Sequence, residues 1–134
     1  MNLEIIYFAG FLDGEGSCIV RFMKDKRYLS GYQITHWINL TQKDKEILIK
    51  FQKIFGCGKL YFHKRDQLWH LDIWKRNEII RVMKQLLPYL VVKKKKATRF
   101  LEVIQMMKRK KHLEPKGLEK IHLLWDPKTE RNTR

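Results

Sequence analysis

The sequence predicts an α+β fold in which a four-stranded antiparallel sheet carries helices on one of its two faces. Three observations lead there. Apolar residues keep a helical period as far as Gly14 and then alternate in twos from Ser17, so a helix gives way to a strand within a few residues. That succession repeats, and the chain reads helix, two strands, helix, two strands, helix. The second strand pair is joined by the tight turn Lys64 to Gln67, as in a hairpin, and helices on one side of such a sheet leave its other side uncovered.

The first helix places Ile5, Phe8 and Leu12 on one face, a stripe suited to covering a sheet. Gly10 and Gly14 lie on another face with Asp13 and leave a groove for a second backbone. Interior glycine costs about 1 kcal/mol against alanine, so two in one helix imply a close contact that recovers the loss. Cys18, Val20 and Phe22 then alternate with Ser17, Ile19, Arg21 and Met23, and Lys24 to Gly31 is a polar, basic turn or loop. In Tyr32 to Thr41, residues Ile34, Ile38 and Leu40 point one way and Gln33, Thr35, Trp37, Asn39 and Thr41 the other. His36 falls on the packed side as a core or boundary histidine.

Thr41 to Asp44 opens a second helix with Ile47, Leu48, Phe51, Ile54 and Phe55 apolar, stopped by Gly56. Leu60 and Phe62 alternate with Lys59, Tyr61 and His63, and Trp69, Leu71 and Ile73 with His70 and Asp72. Asn77 is the expected cap of a third helix that Pro88 ends. Lys93 to Lys96 reads as a solvated, phosphate-attracting segment. Ala97 to Lys111 reads as a helix covering Phe100, Leu101, Ile104 and either Met106 or Met107, and Leu113 to Trp125 as a short last helix. Residues 1–125 are expected to form one domain and 126–134 a mobile basic tail.

A chain of 134 residues suits one domain with a modest core. Lys and Arg number 29 against 14 Asp and Glu, a net charge of +15, which implies a polyanionic partner such as nucleic acid. A ribosomal-type protein has the same balance. Cys18 and Cys57 lack metal-site spacing and suit small core residues. No secretory signal stands at the N-terminus and no apolar run approaches the roughly 18 residues of a membrane span, so no membrane association and an intracellular or organellar location are expected.

Asp13 and Glu15 break a local rule. Both face the negative end of the helix macrodipole, an arrangement unfavourable by roughly 0.3 to 1 kcal/mol each. Nearby carbonyls of the last turn lack helical partners, and carboxylate plus free carbonyl oxygen suits a hard divalent cation. The ten residues from Phe8 to Ser17, FAGFLDGEGS, resemble the signature of the LAGLIDADG homing endonucleases.

That resemblance implies an αββαββα core from about Leu3 to Leu87 with further C-terminal helices, and a curved sheet whose open face reads DNA. It implies site-specific double-strand cleavage leaving 3′ overhangs. In the family two such helices pack through small residues, here Gly10, Asp13 and Gly14, and the acid at each lower end binds metal. By position the metal ligands are Glu15 and the Gly14 carbonyl, Glu15 standing where many members have Asp. Gln42 matches a glutamine that organises water around the metals, and Lys93 a lysine near the scissile phosphate, so the expected catalytic set is Glu15, Gln42 and Lys93. A basic residue often follows that glutamine by four positions; Glu46 stands there, so its role passes to Lys45 or is absent. Mg²⁺ is the expected cofactor, with Mn²⁺ or Ca²⁺ able to occupy the site. A single signature implies a homodimer and a near-palindromic target. The expected DNA-reading residues are Ser17, Arg21, Gln33, Thr35, Trp37, Asn39, Tyr61, His63, His70 and Asp72, with Arg21 suited to guanine and the amides of Gln33 and Asn39 to adenine. An alternative of another class is an intron RNA maturase or a nucleic-acid-binding protein without catalysis.

Overall fold

The computed structural model describes residues 2–28 and 31–125; the expected tail at 126–134 lies outside the described residues. The chain runs α1 (Leu3–Glu15), β1 (Gly16–Lys24), β2 (Tyr32–Gln42), α2 (Lys45–Phe55), β3 (Lys59–His63), β4 (Leu68–Ile73), α3 (Arg76–Leu86), α4 (Lys94–Lys108) and α5 (Pro115–Leu124). The strands form one antiparallel sheet in the order β1-β2-β4-β3. This is the α+β architecture that the two changes of period predict.

Register sorts the side chains. Cys18 lies opposite Ile38, Ile38 opposite Ile73, and Leu40 opposite Leu71, which pairs with Leu60. Because opposed residues share a face, these positions form the covered side, and Cys18, Ile38, Leu40, Leu71 and Ile73 are buried. The helices close that side. Phe8 of α1 meets Phe51 of α2 edge-on with ring centroids 5.1 Å apart, and Phe51 lies 4.3 Å from Phe55. Gly56 ends α2 in the left-handed conformation at φ 67°, which explains the glycine at that stop.

The turn from α1 into β1 is tight enough to exclude any side chain at Gly16. An added Cβ there would sit 2.3 Å from Leu12 Cδ1 and 2.9 Å from both the Leu12 carbonyl oxygen and Leu40 Cδ2. Gly16→Ala is therefore expected to lower stability by about 1 to 3 kcal/mol, the usual cost of overpacking. A urea unfolding midpoint equal to that of the wild type would show that the turn relaxes freely.

Three local expectations change. The third helix begins at Arg76, where the Ile79 N–H reaches the Lys75 carbonyl at 2.9 Å; Lys75 supplies no side-chain cap, and Asn77 lies inside the first turn. Met106 and Met107 are both buried, because α4 is packed between α3, β1 and α5. Most consequentially, Lys94, Lys95 and Lys96 form the first turn of α4, ahead of the expected start at Ala97, with Lys94 and Lys95 exposed.

Candidate active site and nucleic-acid interface

A helix C-terminus favours a nearby cation, and α1 has no basic residue in its last turn. Lys93 supplies the charge from 81 positions beyond Leu12: its Nζ donates to the Leu12 carbonyl at 3.0 Å and also to the Gly16 carbonyl. The mirror-image problem exists at α4, which opens on three lysines at the positive end of its dipole and has no side-chain cap of its own. Asp13 resolves it. Its carboxylate accepts the N–H groups of Val91 at 2.8 Å, Val92 at 3.3 Å and Lys93 at 3.0 Å. Each helix end thus receives its compensating charge from the other.

This exchange corrects the placement of Asp13 at a helix–helix contact with Gly10 and Gly14. At about 100° per residue Asp13 stands roughly 60° to one side of Gly10, while Gly14 lies roughly 40° to the other. Asp13 consequently faces the start of α4 within the same chain. Gly10 and Gly14 remain exposed, and a Cβ added at either meets nothing within 4 Å.

Beside the end of α1 lies a cleft of about 380 Å³ lined by Gly14, Glu15, Ser17, Thr41, Lys93 and Lys96, among others. Glu15 is exposed, and its carboxylate makes no hydrogen bond or ion pair among the described residues. Its carbonyl accepts a long bond from Thr41 Oγ1 at 3.5 Å. Burial pulls the Lys93 ammonium below the usual lysine range, partly countered by Asp13 and Glu15 among its neighbours. The donor set of one free carboxylate and last-turn carbonyl oxygens is hard, and it fits Mg²⁺ or Ca²⁺. It is too small to close a cation's shell alone, so phosphate, water or a second chain must complete it.

Gln42 is not among the residues around this cleft. It ends β2 on the covered parity, opposite Trp69, and its Oε1 accepts the N–H of Lys43 at 2.8 Å. Alternation along the strand gives the cleft to Thr41 instead. Lys96, expected only as part of a phosphate-attracting lysine run, also lines the cleft; it lies three positions from Lys93, and its ammonium also stands 5.7 Å from the centre of the Trp125 ring. Spacing of three marks one helical face only once α4 is known to start at Lys94. Glu46 sits in the first turn of α2, where the helix dipole favours an acid, and Lys45 Nζ stands 5.2 Å from the Trp69 ring centre.

The open face of the sheet carries the predicted residues. Ser17 lies opposite Asn39, Arg21 opposite Thr35, Asn39 opposite Asp72 and Tyr61 opposite His70, while Gln33, Trp37 and His63 share their parity. Arg21 is exposed and its guanidinium stands 5.1 Å from the centre of the Trp37 ring, which braces it without consuming its N–H groups. Lys59 joins this face opposite Asp72, with Nζ 5.8 Å from the Trp74 ring centre.

Asp72 requires a correction. It is 6% exposed, and its two oxygens accept from Asn39 Nδ2 at 2.7 Å and from the Tyr61 hydroxyl at 2.9 Å. A carboxylate so enclosed organises its neighbours; it does not meet a base. Burial, then the bond to Asp72, pushes the Tyr61 hydroxyl up to about 12, so it stays a donor. On the covered side, burial raises Cys18 to about 12 and lowers His36 to about 4, leaving an inert thiol and a neutral imidazole.

Residues 8–107 match the family model described as LAGLIDADG endonuclease. The chain belongs to that family. The LAGLIDADG match takes in α1 from Phe8, all four strands and α4 to Met107, and so includes every residue of the cleft and of the open face; α5 lies beyond it. The chain is 28% identical to the DNA endonuclease I-CvuI of Chlorella vulgaris over 93% of its own length and 77% of that relative. It is 27% identical to the DNA endonuclease I-CreI of Chlamydomonas reinhardtii, over 96% and 83%. In structure it resembles the homing endonuclease I-TnaI (TM-score 0.79, 29% identity, 92% of this chain and 86% of that one). It also resembles I-CvuI in complex with the I-CreI target in the presence of Mg, with the DNA not cleaved (TM-score 0.77, 26% identity, 92% and 83%). No helix among the described residues is long and apolar enough to cross a membrane.

Proposed function

We propose that this chain is a site-specific double-strand DNA endonuclease that acts as a homodimer on a long, near-palindromic site, with Mg²⁺ as its cofactor. One observation carries the reading: the carboxylate of Glu15, unpaired among the described residues, lines the same cleft as the half-buried ammonium of Lys93 where α1 runs into the open face of the sheet. Acid and base there meet any duplex lying along that face.

A divalent cation held by Glu15, the Gly14 carbonyl and phosphate oxygens would polarise the phosphate as a Lewis acid. The chain's own groups do the rest. Lys93 offers positive charge where negative charge builds up on the phosphate, and Asp13 fixes the backbone from which that ammonium projects. The open face grips and reads the duplex, and the net charge of +15 draws it in. A second chain brings a second Glu15, and two neighbouring carboxylates favour a cation between them. The uncovered Gly10 and Gly14 offer the surface for that pairing, flanked by Leu3 and Tyr7, which are 75% and 56% exposed. DNA complexes of the relative I-CvuI in the presence of Mg and of Ca support the ion class.

Incubating the protein with a random double-stranded DNA library and Mg²⁺, then sequencing the cut ends, tests the proposal. One family of near-palindromic sites with 3′ overhangs is expected, and chelation should suppress it. Absence of cutting with both Mg²⁺ and Mn²⁺ would overturn it.

A further inference from the structure

We infer that buried Asp72 fixes the amide of Asn39 and the tautomer of His70, so that Asn39 shows DNA a lone acceptor and selects adenine or cytosine over guanine or thymine. This rests on the open face contacting DNA, as proposed above.

The chain of constraints starts at Asp72. Its carboxylate can only accept, and Tyr61 already donates to one oxygen. The other oxygen lies 2.7 Å from the Asn39 amide, so Asn39 must turn its NH₂ group toward it. The same nitrogen lies 3.1 Å from His70 Nδ1. Nδ1 must therefore carry a lone pair, which puts the imidazole hydrogen on Nε2. There it donates to Asp66 Oδ2 at 2.7 Å.

Both hydrogens of the Asn39 amide are then committed. Its Oδ1 accepts no hydrogen bond among the described residues and is not sealed from solvent. The two-bond pairing of an asparagine with adenine needs one free N–H, and none remains. A lone acceptor in the major groove instead favours the amino groups of adenine and cytosine and is repelled by the O6 of guanine and the O4 of thymine.

His63, Asp66 and His70 have ligand atoms within 4.8 Å of one another, close enough to suggest a metal. The tautomer argues against it. His70 Nε2 has no lone pair to give while Nδ1 accepts from Asn39, and moving the hydrogen to Nδ1 would set it against the Asn39 NH₂ group.

Two measurements decide the matter. In ¹⁵N NMR of the full chain without DNA, His70 should show a pyridine-like Nδ1 and a pyrrole-like Nε2; a hydrogen on Nδ1, or Zn²⁺ bound stoichiometrically through Nε2, overturns the network. In site selection, the base pair whose preference changes on Asn39→Ala locates the contact. There the wild type should recover A and C about equally and G and T roughly tenfold less often. Asp72→Leu, similar in size, removes both acceptor oxygens and should shrink that preference to about threefold or less. Adenine favoured tenfold over cytosine, or an Asp72→Leu profile like that of the wild type, overturns the inference. Sequence-specific binding with no preference at that pair defeats the Asn39 reading alone, whereas a wild type that binds no DNA defeats the endonuclease reading as well.

Discussion

Glu15→Gln is expected to reduce DNA cleavage by about a thousandfold or more while leaving the duplex bound. Glutamine keeps the size of the side chain and an acceptor oxygen but removes the charge that a hard cation needs. Lewis-acid stabilisation of a phosphoryl transition state is worth several kcal/mol, and each 1.36 kcal/mol is a factor of about ten in rate. Folding should be unaffected, because the carboxylate makes no hydrogen bond or ion pair among the described residues. Without divalent cation the variant should bind DNA as tightly as the wild type or more so, since a carboxylate facing phosphates no longer repels them. Single-turnover cleavage and a gel-shift titration on the same selected site measure both effects. Cleavage within about threefold of the wild type would remove Glu15 from the reaction.

The parts of this site that were legible in the sequence are those set by local pattern. Alternation in β1 to β4 assigns the open face because side chains of a strand switch sides at every residue, and Gly56 marks the end of α2 because its backbone must turn left-handed there. The exchange between Asp13 and Lys93 was not legible. Each residue breaks a rule of its own helix, acid at a C-terminus and lysines at an N-terminus, and the two breaches cancel only after the fold brings positions 80 apart together. Judged locally, four consecutive lysines read as a solvated, phosphate-attracting segment and the helix is expected from Ala97, three residues after α4 begins. Gln42 shows a different limit. The strand runs one residue beyond the alternation read from Tyr32 to Thr41 and takes in Gln42, whose neighbour Thr41 has the parity that faces the cleft. Asp72 was assigned to the correct face, yet alternation cannot tell a residue that meets a ligand from one enclosed by Asn39 and Tyr61.

Gly10→Leu is expected to leave the single chain folded, to make it slightly more stable, and still to abolish cleavage. Leucine has the better helix propensity by about 0.8 kcal/mol, and a Cβ at Gly10 meets nothing within 4 Å. On one chain the change should therefore raise the unfolding midpoint. In the proposed homodimer the same side chain is introduced twice across the two-fold axis, where the helices approach through their glycines. Overpacking costs about 1 to 3 kcal/mol for each misfit side chain, so the two together should weaken dimerisation by at least about thirtyfold. Gly10 is the better probe than Gly14, whose carbonyl is a proposed cation ligand and whose substitution would confuse assembly with chemistry. In the proposed dimer each active site would need the second chain's acid, so a monomer with all its own residues in place should not cut both strands. Sedimentation should give the wild type about twice the 16.4 kDa chain mass and the variant that of one chain. Helix α1 carries buried Phe8, Ala9 and Leu12 on its inner face and Leu3, Tyr7 and Gly10 exposed on the outer. A Gly10→Leu protein that remained dimeric and fully active would place the contact between chains on some other surface, and with it the proposed pairing of the two Glu15 carboxylates would fail.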